Sequence, residues 1–147
     1  GKGLEKLGEM IAAQGGDPRV CADTSLLPRA PLQRPVAAPR GGVVLAMDTT
    51  ALGLCVQRMG AGRARKEDAI DPAVGFVLHR RIGEEVAKGE PLFTLHARDE
   101  ASAQAAQEAL LGAVTIGEGF AQKEPLILAT VTPQGVAREG QSPGGPP

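Results

Sequence analysis

Tryptophan and tyrosine are absent and phenylalanine occurs only 3 times, so the chain lacks the aromatic platforms on which single-stranded nucleic acid stacks. An excess of either charge is also missing. With 16 Lys and Arg against 17 Asp and Glu, the net charge is -1 and the signs are interspersed, which provides no long-range field for a polyanion. Both absences argue against nucleic acid as a partner. No apolar run approaches the ~20 residues that cross a bilayer, and the first residues lack the charged-then-apolar layout of a signal peptide. No membrane partner is expected, and the cytoplasm is the expected compartment. Of the 2 cysteines, neither Cys21 nor Cys55 has a second ligand close by in sequence, so neither a zinc knuckle nor a disulfide framework is indicated. Cys55, within an apolar periodic segment, reads as a small core residue.

What the chain does have is 147 residues, enough for one domain with a core, and a sequence that changes character several times. Leu4, Leu7, Met10 and Ile11 recur at three- and four-residue steps and predict an amphipathic helix over Leu4 to Gln14, stopped by Gly15-Gly16. Pro18, Pro28, Pro31, Pro35 and Pro39 then exclude continuous helix and central strand alike. Residues 17–40 accordingly read as an extended linker, either a hinge between domains or an ordinary long loop, with a short edge strand near Gln33 to Ala38. The hinge is favoured because long structureless loops are uncommon inside compact domains.

From Gly41 the pattern becomes that of a folded domain. Val43 to Met47 predicts a strand, Asp48-Thr49-Thr50 offers N-cap chemistry, and Ala51 to Met59 predicts a helix with Leu52, Cys55, Val56 and Met59 on one face. Ala73 to Leu78 and Pro91 to Leu95 have strand length and strand composition. Between them lies a polar, glycine-bounded connection under which Ile82 and Val86 are expected to tuck. Glu100 to Leu111 predicts a surface helix with a thin stripe of Ala103, Ala106, Leu110 and Leu111. Val114 to Ile116 and Pro125 to Val131 read as further strands. Thr132 to Pro147 holds too little apolar surface to offset ordering and reads as a disordered tail. The order strand, strand, helix, strand, strand, helix, strand implies an α+β class.

The stretch Gly60 to Asp99 is the most distinctive. Gly60-Ala61-Gly62-Arg63, Lys66-Glu67-Asp68, Ile70-Asp71, Ala73-Val74-Gly75, Ile82-Gly83, Val86, Lys88-Gly89-Glu90 and Leu95-His96 together resemble the C-terminal domain of the pyrimidine-nucleoside phosphorylase and thymidine phosphorylase family. The resemblance extends from Lys2 to about Val131. It implies an α/β-hammerhead-like mixed sheet with two packed helices at residues 41–131. Residues 1–16 would be the last helix of an upstream domain. It implies phosphorolysis of a pyrimidine nucleoside to free base and pentose 1-phosphate by the whole enzyme, with phosphate as co-substrate, potassium as a further ion, and a homodimer formed through the helical part. The family's phosphate loop, base-holding set, general-acid histidine and potassium ligands lie upstream, and no motif in this chain matches them. The resemblance therefore implies no catalytic, substrate-binding or metal-binding residue here, and no cofactor.

The residues were also read for chemistry of their own. Gly60 to Lys66 combines glycines with cations as a phosphate cradle would, but follows neither GxxxxGK[ST] nor GxGxxG before a helix. A charged loop that helps shut a cleft on a moving domain fits better, with Arg63, Lys66, Glu67 and Asp68 as closure-loop candidates. Asp68 and Asp71 are expected to cap turns or to pair with Arg63 and Arg65. His79 and His96 read as strand-end residues, and Glu84, Glu85, Glu90, Asp99 and Glu100 as solvated turn charges rather than an acid/base pair. A calcium loop fails in register over Lys66 to Asp71. Two alternatives stand beside the phosphorylase reading. One is a purely structural module. The other is a carrier-like barrel domain, since Gly83 to Leu95 is similar to half of a biotinyl or lipoyl domain. The attachment lysine is absent from the far turn, and Lys88 lies in the other.

Overall fold

In the computed structural model, which describes residues 1–121 and 126–138, the chain begins with helix α1, Lys2–Ala13. Its end is built by the two glycines: Gly16 N–H donates to Ile11 O at 2.9 Å and Gly15 N–H to Ala12 O at 3.0 Å, the paired bonds of a Schellman stop. Leu4, Leu7 and Met10 stay about half exposed, at 53%, 48% and 52%. The helix packs on a short 3-10 turn, Pro18–Cys21, and a second such turn follows at Thr24–Leu26. These turns replace the first part of the expected extended linker. Pro18 is tolerated at a helical start, where its missing N–H has no intrahelical partner, and Asp17 and Asp23 accept from Arg19 N–H and Ser25 N–H.

Strand β1, Leu32–Ala37, lies inside the segment read as linker, and its Val36 and the following Ala38 are 1% and 2% exposed. The folded unit therefore starts before residue 41. Pro35 is accommodated because β1 is at the edge of a three-stranded sheet, where a missing donor breaks no second ladder. Strand β2, Gly42–Met47, leads to Asp48, whose Oδ1 accepts from Ala51 N–H at 2.9 Å and caps helix α2, Thr49–Val56. A wider turn, Gln57–Ala61, ends that helix. Then come β3, Gly75–Leu78; β4, Glu85–Val86; and β5, Pro91–Ala97. Helix α3, Glu100–Gly112, and β6, Val114–Gly117, complete the main body, and β7, Ala129–Thr132, with β8, Gly135–Arg138, forms a hairpin.

The α+β class is as expected, and the strands divide into two antiparallel sheets ordered β1-β5-β3 and β4-β2-β6, besides the hairpin. From Phe93 on, β5 alternates, with Phe93, Leu95 and Ala97 inward and Thr94 and His96 on the other face, while Leu92 before them is also buried. Phe76 of β3 meets Phe93 edge-on, ring centroids 5.2 Å apart at 82°. α3 packs on β5, β1 and α2, placing Ala103, Ala106 and Leu110 in the core while Leu111 stays partly buried. Small side chains on α3 let α2 approach, so Cys55 Sγ lies 3.8 Å from Ala106 O.

Four details differ from the sequence expectation. β4 has only two residues and was hidden in a polar connection; Val86 is 4% exposed but Ile82 is 37% exposed, so only Val86 tucks under. β3 starts at Gly75 because Ala73 N–H is drawn into a turn by Asp71 Oδ1. The last predicted strand begins late, at Ala129, with Pro125 outside the described residues. The tail is ordered as far as Arg138: Pro133 suits the turn that brings Gly135 opposite Thr132, and residues 139–147 lie outside the described residues.

Leu110 is fully buried, so Leu110→Ala should lower stability by about 2–5 kcal/mol, read as a shift of the urea midpoint at unchanged slope. The two thiols should also differ. Burial pushes the Cys55 thiol up from its ordinary value, whereas Cys21 is half-buried. A thiol reagent at neutral pH should modify Cys21 first and Cys55 only on unfolding, followed by mass.

Candidate closure loop

The segment between α2 and β3 is a loop whose two ends meet. Asp71 N–H donates to Gly60 O at 2.9 Å, and at the same place Arg98 Nη2 donates to Met59 O at 2.8 Å. Gly60 has φ 108°, a conformation glycine adopts without the strain a side chain would bring, and it lets the chain leave the helix sharply. Gln57 Nε2 donates to Arg63 O and ties the first arm of the loop back to the wide turn.

The tip is organised by one carboxylate. Asp68 Oδ2 accepts from Ala64 N–H at 3.0 Å and Arg65 N–H at 2.8 Å, and Asp68 N–H donates to Arg65 O at 3.1 Å. Two amides of the loop, those of Ala64 and Arg65, are thus engaged by the chain's own acid and are not open to an anion. Asp68 and Asp71 hold backbone amides, so of the two alternatives turn capping is realised, and pairing with Arg63 or Arg65 is not seen among the described residues. Of the closure-loop candidates, Asp68 is turned into the loop, while Arg63, Lys66 and Glu67 are exposed at its tip and take part in no ion pair among the described residues.

The remaining candidates are structural. His79 Nε2 lies 2.7 Å from Thr94 Oγ1, and His96 is half-buried two residues further along the same face of β5. The fold thus brings both histidines to one sheet face, but no carboxylate bonds to either among the described residues. Glu84 Oε2 accepts from Arg81 N–H at 2.8 Å, Glu90 Oε2 from Ala87 N–H at 2.9 Å, and Asp99 Oδ1 from Ser102 N–H at 2.7 Å. These are turn and cap contacts, as the sequence indicated. Glu100, read as a solvated turn charge, instead pairs with Arg34 across the β5–α3 corner. A hollow of about 720 Å³ lies elsewhere, lined in part by Val43, Arg80, Glu85, Glu90 and Phe120, with the Arg80–Glu90 ion pair at its wall. No group of three or more His, Cys, Asp or Glu that could hold a metal ion occurs among the described residues. No helix among them is long and apolar enough to cross a membrane.

Sequence reasoning missed Arg98 and Gln57, the side chains that hold the loop's root. Neither belongs to a periodic pattern. The only signal was position, since Arg98 stands between a strand and the Asp99 cap and so has a rigidly held backbone.

The described residues thus form an antiparallel α+β body that carries a charged, internally bonded loop. The sequence model of the pyrimidine nucleoside phosphorylase C-terminal domain matches residues 43–117, half of the chain, and the chain belongs to that family. A pyrimidine-nucleoside phosphorylase of Bacillus subtilis (strain 168) is 46% identical over 100 residues, 68% of this chain and 23% of the relative. A thymidine phosphorylase of Burkholderia cenocepacia (strain HI2424) is 44% identical over 119 residues, 80% of this chain and 27% of the relative. One of Burkholderia orbicola (strain AU 1054) matches to the same extent. The chain thus spans about a quarter of the length of these relatives. The carrier-like alternative is not favoured by these matches.

The turn carboxylates set an acid limit on the fold. The bond from Ala87 N–H, aided by Arg80, holds Glu90 below its ordinary 4.5, and the bond from Ser102 holds Asp99 below 3.8. Values depressed in the folded state contribute stability that is present above the ordinary values and lost as pH falls through the folded ones. Thermal midpoints should therefore be level from pH 7 to about 5 and decline below about pH 4.5. In Glu90→Gln that decline should be shallower.

Proposed function

We propose that this chain is the C-terminal lobe of a pyrimidine-nucleoside phosphorylase, a pentosyltransferase that splits a uridine- or thymidine-type nucleoside with phosphate into free base and pentose 1-phosphate. The reactive groups belong to the preceding part of that enzyme, and the lobe covers them. The reading is supported by the family membership together with one structural observation. The loop at residues 60–71 is ordered by its own bonds, yet leaves Arg63, Lys66 and Glu67 exposed at its tip and in no ion pair among the described residues. A loop built that way can present charge to a facing surface and exclude water when two lobes approach.

Phosphate is the co-substrate of the proposed reaction, potassium a further ion of the whole enzyme, and neither is assigned a ligand in this chain. Assembly as a homodimer through a helical part, and a cytoplasmic location, belong to the same proposal. The half-exposed apolar stripe of α1, Leu4, Leu7 and Met10, gives that helix a face for such a part.

Two assays test it. The 147-residue chain alone should release neither uracil nor thymine from nucleoside and phosphate. Release would place reactive groups in this lobe and sink the reading. In a protein that joins the chain to the family's helical and central parts, the double change Arg63→Ala, Lys66→Ala should lower kcat/KM by about tenfold to a hundredfold, the scale of a misplaced closure. Unchanged kinetics would remove the loop from the closing step.

A further inference from the structure

We infer that Arg98 is the positioning residue of the closure loop; its functional meaning rests on the closure reading above, its structural role does not. Arg98 has a firmly held backbone. Before it, Ala97 ends β5 with 1% exposure, and after it Asp99 caps α3. From this corner the guanidinium reaches 39 positions back in the sequence to Met59 O, at 2.8 Å. That carbonyl is at the end of the α2 turn, where intrahelical donors run out, and a charged donor satisfies it better than a neutral one.

A Cβ at Gly60 would meet Arg98 Nη2, the movable end of that side chain, so the guanidinium packs directly against the glycine. Gly60 O in turn takes the Asp71 N–H, and Met59 is itself buried at 4%. One guanidinium thus anchors the corner from which both arms of the loop leave. The loop is tied to β5 and α3 rather than hanging from α2 alone, and it travels with the sheet as one body. Its tip is ordered before any partner surface arrives, so the entropy of ordering it is not charged against closure.

Amide hydrogen exchange on this 147-residue chain, without substrate, tests the inference. Arg98→Ala should speed exchange of the amides of residues 61–71 by about tenfold, the scale of one lost charge-assisted hydrogen bond, while amides of β5 and α3 keep their protection. Arg98→Lys should restore most of the protection, since a single donor suffices for Met59 O. The inference is overturned if loop protection is unchanged in Arg98→Ala, if Arg98→Lys is no better than alanine, or if loop and core lose protection together in every variant. Because nothing in this measurement depends on phosphorolysis, a failed closure reading would leave its outcome untouched.

Discussion

The burial of β5 is the constraint on which the structure depends. This strand pairs on both sides, with β1 and β3, and three of its seven residues, Leu92, Phe93 and Leu95, are fully buried. Two of those stand side by side in sequence, which a regular strand exposed on one face does not allow. The register shift between Val36 and Ala37 makes it possible, because Val36 pairs with Phe93 and Ala37 with Pro91, leaving Leu92 without an opposite residue. Each such side chain removed from water is worth about 1.5–3 kcal/mol, so this one strand contributes heavily to a core completed by alanine, valine and leucine with Cys55, Met59 and Ile116.

The candidate loop depends on the same strand. Arg98 follows β5 directly, and its bond to Met59 O fixes the corner from which the loop departs. The place of the loop is set by the sheet, while Arg63, Lys66 and Glu67 are the charges it leaves exposed. Carboxylates that could have been taken for acids or bases serve instead as acceptors for backbone amides. Asp68 does so within the loop, Asp99 at α3 and Glu90 before β5. For Glu90 and Asp99 these bonds favour the ionised form, which is poorly suited to donating a proton.

Much of the fold was legible in the sequence wherever a period ran long enough. The stripes of α2 and α3, the strand composition of β5 and the glycine stop of α1 are local patterns with local causes. The failures were local patterns overruled. The short edge strand expected near Gln33 to Ala38 is present and tolerates Pro35, but that its Val36 and the following Ala38 join the core is visible only from the sheet order. β4 has two residues, too few for any period. The Asp68 contact was half anticipated: a turn-capping role was one of two alternatives, and geometry chose it over pairing with arginine.

The sequence by itself determined the element types, the apolar faces and the family resemblance. These follow from residue spacing and from residue types that act on their immediate neighbours. Only the tertiary structure decided that β1 belongs to the core sheet, that both histidines share an open face, and that a guanidinium at position 98 holds a carbonyl at position 59. Those pairings join residues far apart along the chain, and no local pattern encodes them. They depend on which strands pair and in what register, which is settled only when the whole core is buried at once.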